Sequence, residues 1–386
     1  MCSNSLDSKD VALIFGASGI TGWPLMRECL SYPSKNTFSR VLGLSNRPLS
    51  RETAYLPDDP RLEIYTGIDL LDKDQTRQTL ETIPAIGEVT HVYFVAYTGH
   101  GRTAEELVRL NSALVDHALL ALKKLCPRMK FFTLQTGGKG YATAGVPWPP
   151  APWKEDLPRL PEPYASKIFY YAVYDVMIRH AAGSSWQWSE IRPSYLPGFT
   201  PHHNAMSIAH SLGLFIAFYR SVKGAGATCA FPGTPGSWEA LHSDSSQDVV
   251  AHFHIYTSLH GDKTHGRSFN VADGEGTSWK VKWPIVCNYF GLKGVGPSAQ
   301  VAGELQGTKW LLAQKYLWSA WAKDNGLKGD VLENMQWDIL DTALSLPLRI
   351  DYDLGASREI GFQETMDVGK GFLVAFDRLR RAKFLP

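Results

Sequence analysis

Residues 11–22 read VALIFGASGITG, an apolar run followed directly by three glycines in a GxxGxxG spacing. The apolar run predicts a buried strand, and the glycines come just before a segment of helical periodicity. Gly16 permits the tight turn, Gly19 lets the backbone approach a pyrophosphate, and Gly22 allows the helix to pack closely on the strand. The helix N-terminus adds amide donors and a favourable dipole. The stretch therefore predicts the dinucleotide-binding turn of a Rossmann-type fold.

The same order of strand and helix recurs along the first half of the chain. Short β-branched runs alternate with helical segments, which predicts βαβ units and a parallel sheet covered by helices on both faces. The predicted strands are 11–15, 40–44, 62–65, 91–96, 130–134 and 188–191. The predicted helices between them are 20–30, 72–82, 104–125 and 164–180. We therefore expect the α/β class, with a doubly wound parallel sheet.

The second half of the chain is more helical and less regular. Its predicted helices are 205–222, 247–259, 283–290, 309–323, 332–344 and 368–383. We predict a Rossmann domain for NADP over 1–200 and a smaller, mainly helical substrate lobe over 201–386, with some strands returning to the main sheet. The segment 140–163 is proline-rich, so we expect a long loop of the kind that often forms a binding wall.

Composition narrows the class of protein. The 39 Lys and Arg nearly balance the 38 Asp and Glu, so nothing favours nucleic acid or an anionic membrane as partner. The five cysteines are scattered, and no apolar run of about 18 residues is present. Neighbouring histidines at 202–203 and at 252 and 254 lack a third ligand pattern, so no metal site is predicted. We expect a cytoplasmic protein that acts on a small molecule and can form a homodimer.

The end of the second predicted strand indicates which dinucleotide is bound. An NAD enzyme usually places a carboxylate there to bind the ribose 2′-hydroxyl. Here the residues are Ser45, Asn46 and Arg47, and an arginine can instead pair with a 2′-phosphate. Asp69 follows the third strand, where such folds contact the adenine. The sequence therefore predicts NADPH.

Short-chain reductases use a tyrosine and a lysine, usually spaced as YxxxK on one helix. The nearest match is Tyr164 with Lys167, which is one residue short of that spacing. Two other stretches are more distinctive: TGGKGY at 136–141 and IFYYAVYD at 168–175. They are accompanied by EDLPRL at 155–160 and RPSYLPGFTP at 192–201.

With these motifs the sequence resembles the progesterone 5β-reductase/iridoid synthase-like family, atypical extended short-chain dehydrogenases/reductases. The resemblance spans nearly the whole chain and implies that Tyr170 and Lys139 are the catalytic pair. In that family hydride passes from NADPH to the β-carbon of an enone or enal while this pair stabilises the enolate oxygen. The expected cofactor contacts are Gly16, Ser18, Gly19, Ile20, Gly22, Ser45, Asn46, Arg47, Asp69, Leu70, Ala96, Tyr97, Thr136, Gly137, Pro193, Ser194 and Leu196.

The sequence departs from the family pattern mainly on the substrate side. Gly140 replaces a histidine, Tyr97 a tryptophan, Ile168 an asparagine and Tyr174 a glutamate, and Asn46 replaces the first arginine of the NADPH clamp. We expect an apolar substrate pocket of aromatic and aliphatic side chains. Its expected residues are Tyr97, Trp148, Trp153, Tyr195, Met206 and Trp337.

Three alternatives to an enone or enal reductase remain. The chain could use NADP(H) as a scaffold for cyclisation or rearrangement. It could be an alcohol/ketone dehydrogenase that uses Tyr164 and Lys167. It could also be a cofactor-binding regulator without turnover, since fold by itself does not determine function.

Overall fold

The run 11–15 forms an inner strand of a seven-stranded sheet. The structure is a computed structural model, and it describes residues 10–99, 102–202, 207–298, 309–328, 335 and 337–386. Its strands are β1 (Asp10–Phe15), β2 (Phe38–Ser45), β3 (Leu62–Thr66), β4 (His91–Phe94), β5 (Phe131–Gln135), β6 (Gln187–Pro193), β7 (Thr228–Ala230), β8 (Arg267–Val271) and β9 (Lys293–Val295). The main sheet has the order β3-β2-β1-β4-β5-β6-β8, and β7 pairs with β9.

The pairing of the main sheet is that of a doubly wound fold. Strand β1 pairs in parallel with β2 and β4, and the pairs β2–β3, β4–β5 and β5–β6 are also parallel. Every residue from Val11 to Phe15 is at most 3% exposed, because the strand is covered on both faces. This burial explains the unbroken apolar run, since a half-solvated strand would alternate. The predicted fold class is confirmed, and β8 is a strand that returns to the sheet from the second half of the chain.

The helices follow in chain order between the strands. They are α1 (Gly22–Glu28), α2 (Arg51–Ala54), α3 (Lys73–Glu81), α4 (Ala104–Leu125), α5 (Phe169–Ala181), α6 (Ile208–Lys223), α7 (Pro235–Glu239), α8 (Gln247–Leu259), α9 (Gly261–Thr264), α10 (Trp279–Tyr289), α11 (Lys309–Ala313), α12 (Lys315–Asp324), α13 (Trp337–Ser345), α14 (Gly355–Glu359) and α15 (Lys370–Arg381). None of these described helices combines the length and the apolar character that crossing a membrane requires.

The chain forms two compact units. The first comprises 1–147, 158–192 and 251–269, and it contains the whole of strands β1 to β5. The second comprises 148–157, 193–250 and 270–386. Each unit therefore takes segments from distant parts of the sequence.

Helix α4 shows how local sequence positions a long element in the first unit. Thr103 caps its N-terminus by accepting from the Glu106 amide, and the Glu106 carboxylate accepts from the Thr103 amide. Such a capping box satisfies two amides that the helix leaves unpaired. The apolar stripe of α4 includes Leu110, Leu114 and Leu122 and is buried. The predicted helix 104–125 has the observed bounds.

Most tryptophans of the second unit are buried in its hydrophobic core. Trp279 and Trp283 are almost completely buried and contact Phe231, with ring centroids 5.9 and 5.4 Å away. Trp310 and Trp318 pack on Phe218 at 5.9 and 5.1 Å. Large aromatic side chains of this kind contribute much of the apolar area that a core buries.

Several predicted helices have different bounds in the structure. The predicted start at Tyr164 is wrong, because α5 begins at Phe169 and Ala165–Lys167 forms a separate 3-10 turn. Ile168 between them is extended, with φ −91° and ψ 98°, which interrupts the helix. The predicted helix 309–323 is divided at Gln314 into α11 and α12. Parts of the predicted helices 205–222 and 332–344 lie outside the described residues.

Candidate active site

The glycine turn after β1 is packed too closely for side chains. Gly16 has a φ of +86°, and a Cβ atom there would lie 2.8 Å from the Cα of Ala96. A Cβ atom on Gly22 would lie 2.1 Å from the carbonyl oxygen of Gly16. The amides of Gly16 and Ala17 both donate to the carbonyl of Leu44, at 3.1 and 2.9 Å. The turn is therefore held against the carboxyl ends of β2 and β4, where the strand order of the sheet reverses.

The polar residues after β2 link this turn to the end of β3. The Ser45 hydroxyl donates to the Ser18 hydroxyl at 3.0 Å, and the Asn46 amide donates to the carbonyl of Ile68 at 3.1 Å. Arg47 is exposed. Asp69 uses a carboxylate oxygen to accept from the Leu71 amide at 3.0 Å.

These residues fit a nicotinamide dinucleotide. The glycine turn keeps side chains away from the backbone of Ser18 and Gly19, which a pyrophosphate can then approach. The first three residues after β2 are Asn46, Arg47 and Pro48, and none of them carries a carboxylate that would repel a phosphate group. Ile20 and Leu70 are buried beside the turns that carry the site.

The loop after β4 is held by one buried asparagine. The Asn111 side chain on α4 accepts from the Thr98 amide at 3.1 Å and donates to the Thr98 carbonyl at 2.8 Å. Tyr97 is 47% exposed, and its ring lies 5.4 Å from that of Phe169. Asn111 fixes the loop that presents Tyr97, and sequence reasoning missed it. A polar residue within the apolar stripe of a long helix was the signal that could have identified it.

Lys139 lies at the centre of a short 3-10 turn that follows β5. The turn spans Gly138–Gly140, and the Lys139 side chain is exposed. Thr136 and Gly137 precede it at the carboxyl end of β5 and are buried. Tyr171 on α5 donates its hydroxyl proton to the Gly140 carbonyl. This bond ties the first turn of α5, which also carries Tyr170, to the turn that carries Lys139.

The three candidate tyrosines differ in what their hydroxyl groups contact. The Tyr164 hydroxyl donates to the Gly145 carbonyl at 2.7 Å. The Tyr171 hydroxyl donates to Gly140 and also accepts from the Leu160 amide at 3.0 Å. The Tyr170 hydroxyl makes no hydrogen bond to any of the residues that the structure describes. Of the three, Tyr170 is the phenol that remains available for a ligand.

The surroundings of Tyr170 are apolar and weakly negative. Its ring packs on Phe169 at 4.3 Å. Burial raises the pKa of Tyr170 well above its usual value, and the nearby Tyr97 and Glu190 raise it further. A phenol with a raised pKa stays protonated at neutral pH, so it serves as a donor and not as a base.

The second unit holds most of the residues expected to contact substrate. Trp148 is half-buried and lies 6.0 Å from Trp153, which is buried and packs on Tyr352 at 6.3 Å. The half-buried Tyr195 lies 6.0 Å from His242, and burial raises its pKa to about 12. Trp337 is buried at the start of α13. Met206 lies outside the described residues.

Three of the expected cofactor contacts also lie in the second unit. The Pro193 carbonyl accepts from the Tyr352 hydroxyl at 3.1 Å, and the Ser194 amide donates to the Ser245 hydroxyl at 2.8 Å. Leu196 is half-buried. The backbone after β6 is therefore held within its own unit by side-chain bonds.

Comparison with known proteins gives matches along the whole chain. Residues 12–386 match the model of the PRISE-like Rossmann-fold domain. The short chain dehydrogenase ausT of Aspergillus calidoustus is 35% identical, over 98% of this chain and 95% of that protein. A 3-oxo-Delta(4,5)-steroid 5-beta-reductase of Arabidopsis thaliana is 26% identical, over 98% of this chain and 94% of that protein. Among solved structures, the Bordetella bronchiseptica enzyme WbmH in complex with NAD+ is similar in fold, with a TM-score of 0.59 and 15% identity over 96% of this chain and 98% of that one.

Proposed function

Because this chain belongs to the PRISE-like Rossmann-fold domain family and is an oxidoreductase of the short-chain dehydrogenase type, we propose that it is an NADPH-dependent reductase of an apolar α,β-unsaturated carbonyl compound. The expected resemblance to the progesterone 5β-reductase/iridoid synthase-like family is confirmed. We place the reaction in specialised metabolism.

The preference for NADPH is supported by the end of β2. Arg47 is exposed there, and Ser45 and Asn46 hold the loop by neutral hydrogen bonds. A guanidinium can form two charge-assisted hydrogen bonds to a phosphate, whereas a carboxylate at this position would repel it.

One observation supports the catalytic assignment most directly: Tyr170 is the candidate phenol whose hydroxyl is not hydrogen-bonded to another described residue. Its raised pKa keeps the proton on the oxygen. A protonated phenol can donate to a carbonyl oxygen as negative charge develops on it, and such preorganised donors stabilise the transition state. Lys139 would add a positive charge beside the same oxygen, since Tyr171 ties its turn to the start of α5.

The proposed reaction is the transfer of a hydride from the cofactor to the substrate. NADPH, when bound, supplies a hydride to the β-carbon of the substrate. Tyr170 and Lys139 would stabilise the resulting enolate oxygen. The Tyr170 phenol is shielded from solvent beside the ring of Phe169, and a low local dielectric there would strengthen its contact with that oxygen.

The dehydrogenase alternative that uses Tyr164 and Lys167 has less support. The Tyr164 hydroxyl is bonded to the Gly145 carbonyl, and Lys167 ends a separate 3-10 turn before α5.

The test is turnover of apolar enals and enones with NADPH, followed by mass analysis of the products. Tyr170→Phe should lower kcat by about 10²–10³ and leave NADPH affinity nearly unchanged, because the donor acts chiefly in the transition state. Tyr164→Phe is the matched control and should stay within about threefold of the parent protein, since its hydroxyl bonds to a loop carbonyl.

Two outcomes would contradict this proposal, one its catalytic assignment and the other the reaction itself. If Tyr170→Phe keeps the parent rate on the least electrophilic substrate that is turned over, tyrosine does not activate the carbonyl. If products are rearranged or cyclised without consumption of NADPH, the scaffold alternative replaces the reductase.

A further inference from the structure

The turn that carries Lys139 is anchored on both sides by a buried ion pair. We call residues 137–141 the lysine turn. Thr136, just before it, donates its hydroxyl to Glu190 at 2.6 Å. Tyr141, at its end, accepts at its hydroxyl from the Arg192 guanidinium at 3.0 Å. Glu190 and Arg192 lie two residues apart on β6 and therefore point to the same face of the sheet.

Glu190 is only 3% exposed, and three side chains bind it. Arg192 donates to its Oε2 through Nη2 at 2.8 Å and through Nε at 3.0 Å. Ser268 on β8 donates to the same oxygen at 2.5 Å, and Thr136 occupies Oε1. The carboxylate thus accepts from side chains on β6, on β8 and immediately after β5.

Arg192 is held in a fixed orientation between Glu190 and Tyr141. Its guanidinium also lies 5.3 Å from the centre of the Tyr141 ring. Glu190 and the Tyr141 hydroxyl raise the pKa of Arg192 further above its usual value, against the effect of its burial. Two nitrogens of the guanidinium donate to Glu190 and a third donates to the Tyr141 hydroxyl, so the orientation of the Arg192 side chain is restricted on both sides.

We propose that Glu190, Arg192 and Tyr141 are positioning residues that hold Lys139 at the place where it acts on the substrate oxygen. The inference rests on the proposed role of Lys139. None of the three residues was expected from the sequence to belong to the site.

Lys139 needs positioning residues because packing does not hold its own side chain in place. Its side chain is exposed, and glycines occupy both neighbouring positions. A glycine-rich turn has a high conformational entropy, so its position must come from contacts at its ends. Buried ion pairs give little net stability, because desolvation cancels most of the attraction. Their geometric effect is the larger one, since a displacement of about 1 Å at a catalytic group can cost about 10² in rate.

The experiment compares variants that remove one oxygen each from this network. Tyr141→Phe deletes the hydroxyl that connects Arg192 to the lysine turn. Ser268→Ala deletes a hydroxyl that donates to the Glu190 carboxylate. Ser268 lies on β8, which does not carry the lysine turn. Both are made in the parent protein and in Lys139→Ala, and kcat, KM and the thermal midpoint are measured for each with NADPH and one enone substrate.

We expect Tyr141→Phe to lower kcat about tenfold with little change in KM. Ser268→Ala should lower the thermal midpoint about as much as Tyr141→Phe does, while its kcat stays within about twofold of the parent value. In the Lys139→Ala background, Tyr141→Phe should cause no further loss of kcat, because the group that it positions is gone.

The results distinguish a failure of the proposed role of Lys139 from a failure of the positioning role. If Lys139→Ala itself leaves kcat unchanged, the proposed catalytic role of the lysine is wrong, and the positioning role falls with it. If Lys139→Ala lowers kcat but Tyr141→Phe behaves like Ser268→Ala, the reductase function stands and the positioning role is overturned. An undiminished effect of Tyr141→Phe in the Lys139→Ala background also overturns it.

Discussion

Two adjacent phenols on α5, Tyr170 and Tyr171, differ in the neighbours that their hydroxyl groups meet. Tyr171 accepts from one backbone amide and donates to one backbone carbonyl, and its ring is covered by the Arg159 guanidinium at 4.8 Å. Such a fully used hydroxyl stabilises structure and is not available to substrate. Tyr170 has an apolar neighbour and a raised pKa, which leaves its proton for a ligand.

Arg47 is the residue on which the choice of cofactor should depend. Arg47→Glu should remove the preference for NADPH or reverse it, with a loss of about 10–100-fold in NADPH affinity, because it replaces charge-assisted hydrogen bonds by repulsion. Calorimetric titration with NADPH and NADH measures both affinities. Arg128→Glu makes the same charge change on an exposed arginine that is paired with Glu88, and it should leave both affinities unchanged. Equal affinity of the parent protein for the two cofactors would contradict the assignment.

At the scale of single elements, the strand–turn–helix unit from β1 to α1 depends on the absence of side chains. The space at Gly22 is closed by backbone atoms of Gly16 and Ala17, which cannot move aside as a flexible side chain would. Trp23, the next residue of α1, donates its indole N–H to the Ala54 carbonyl at 2.7 Å and is buried. Helix α1 is thus fixed from both sides, and it has little freedom to retreat from the strand.

Gly22→Ala should therefore destabilise the fold by about 3 kcal/mol or more, because it overpacks a rigid contact. Denaturant unfolding followed by circular dichroism measures the change. Gly87→Ala is the matched control in the same unit: its added Cβ atom meets its nearest neighbour at an ordinary 3.5 Å. That variant should be neutral or slightly stabilising, since alanine lowers the entropy of the unfolded chain. Equal stabilities of the two variants would show that the close contact at Gly22 is not maintained in solution.

On the scale of the whole molecule, three buried histidines make stability depend on pH. Burial lowers the pKa of His91 and His242 to about 4 and that of His254 to about 3. The unfolded chain protonates them near pH 6.5, so stability falls as the pH drops from about 6.5 towards 4. Asp273 acts in the opposite direction, because burial raises its pKa to about 7 and the folded state then binds the extra proton. We expect the three histidines to outweigh this one carboxyl group.

His254→Gln should reduce that acid sensitivity. His254 lies between the Thr133 hydroxyl at 2.8 Å and the Gln135 side chain at 3.1 Å, and a neutral amide can keep polar contacts there. The slope of unfolding free energy against pH between 6 and 4 should become smaller by up to about 1.4 kcal/mol per pH unit, the value for one proton. Denaturant unfolding at a series of pH values gives that slope. An unchanged slope would mean that His254 is protonated to the same extent in the folded and unfolded states.

Much of the fold was determined by the sequence alone. A strand buried on both faces must be apolar throughout, and a tight turn under a helix must be glycine, so residues 11–22 specify the Rossmann-type unit by local chemistry. The same holds for α4, whose capping box and apolar stripe lie within the helix itself. The family could also be predicted from the motifs and their order along the sequence, and that prediction is confirmed. The catalytic pair and the NADPH preference remain predictions.

The tertiary structure decided what depends on distant partners. The start of α5 at Phe169 and not at Tyr164 follows from the extended Ile168 and from the bond of the Tyr164 hydroxyl to Gly145, which periodicity does not encode. The difference in hydroxyl contacts between Tyr170 and Tyr171 depends on Gly140 and Leu160, which bind Tyr171 and precede it by 31 and 11 residues. Glu190 binds Thr136, 54 residues earlier, and Ser268, 78 residues later. Such contacts are set by the order of strands in the sheet, because parallel pairing brings residues of remote segments to one edge.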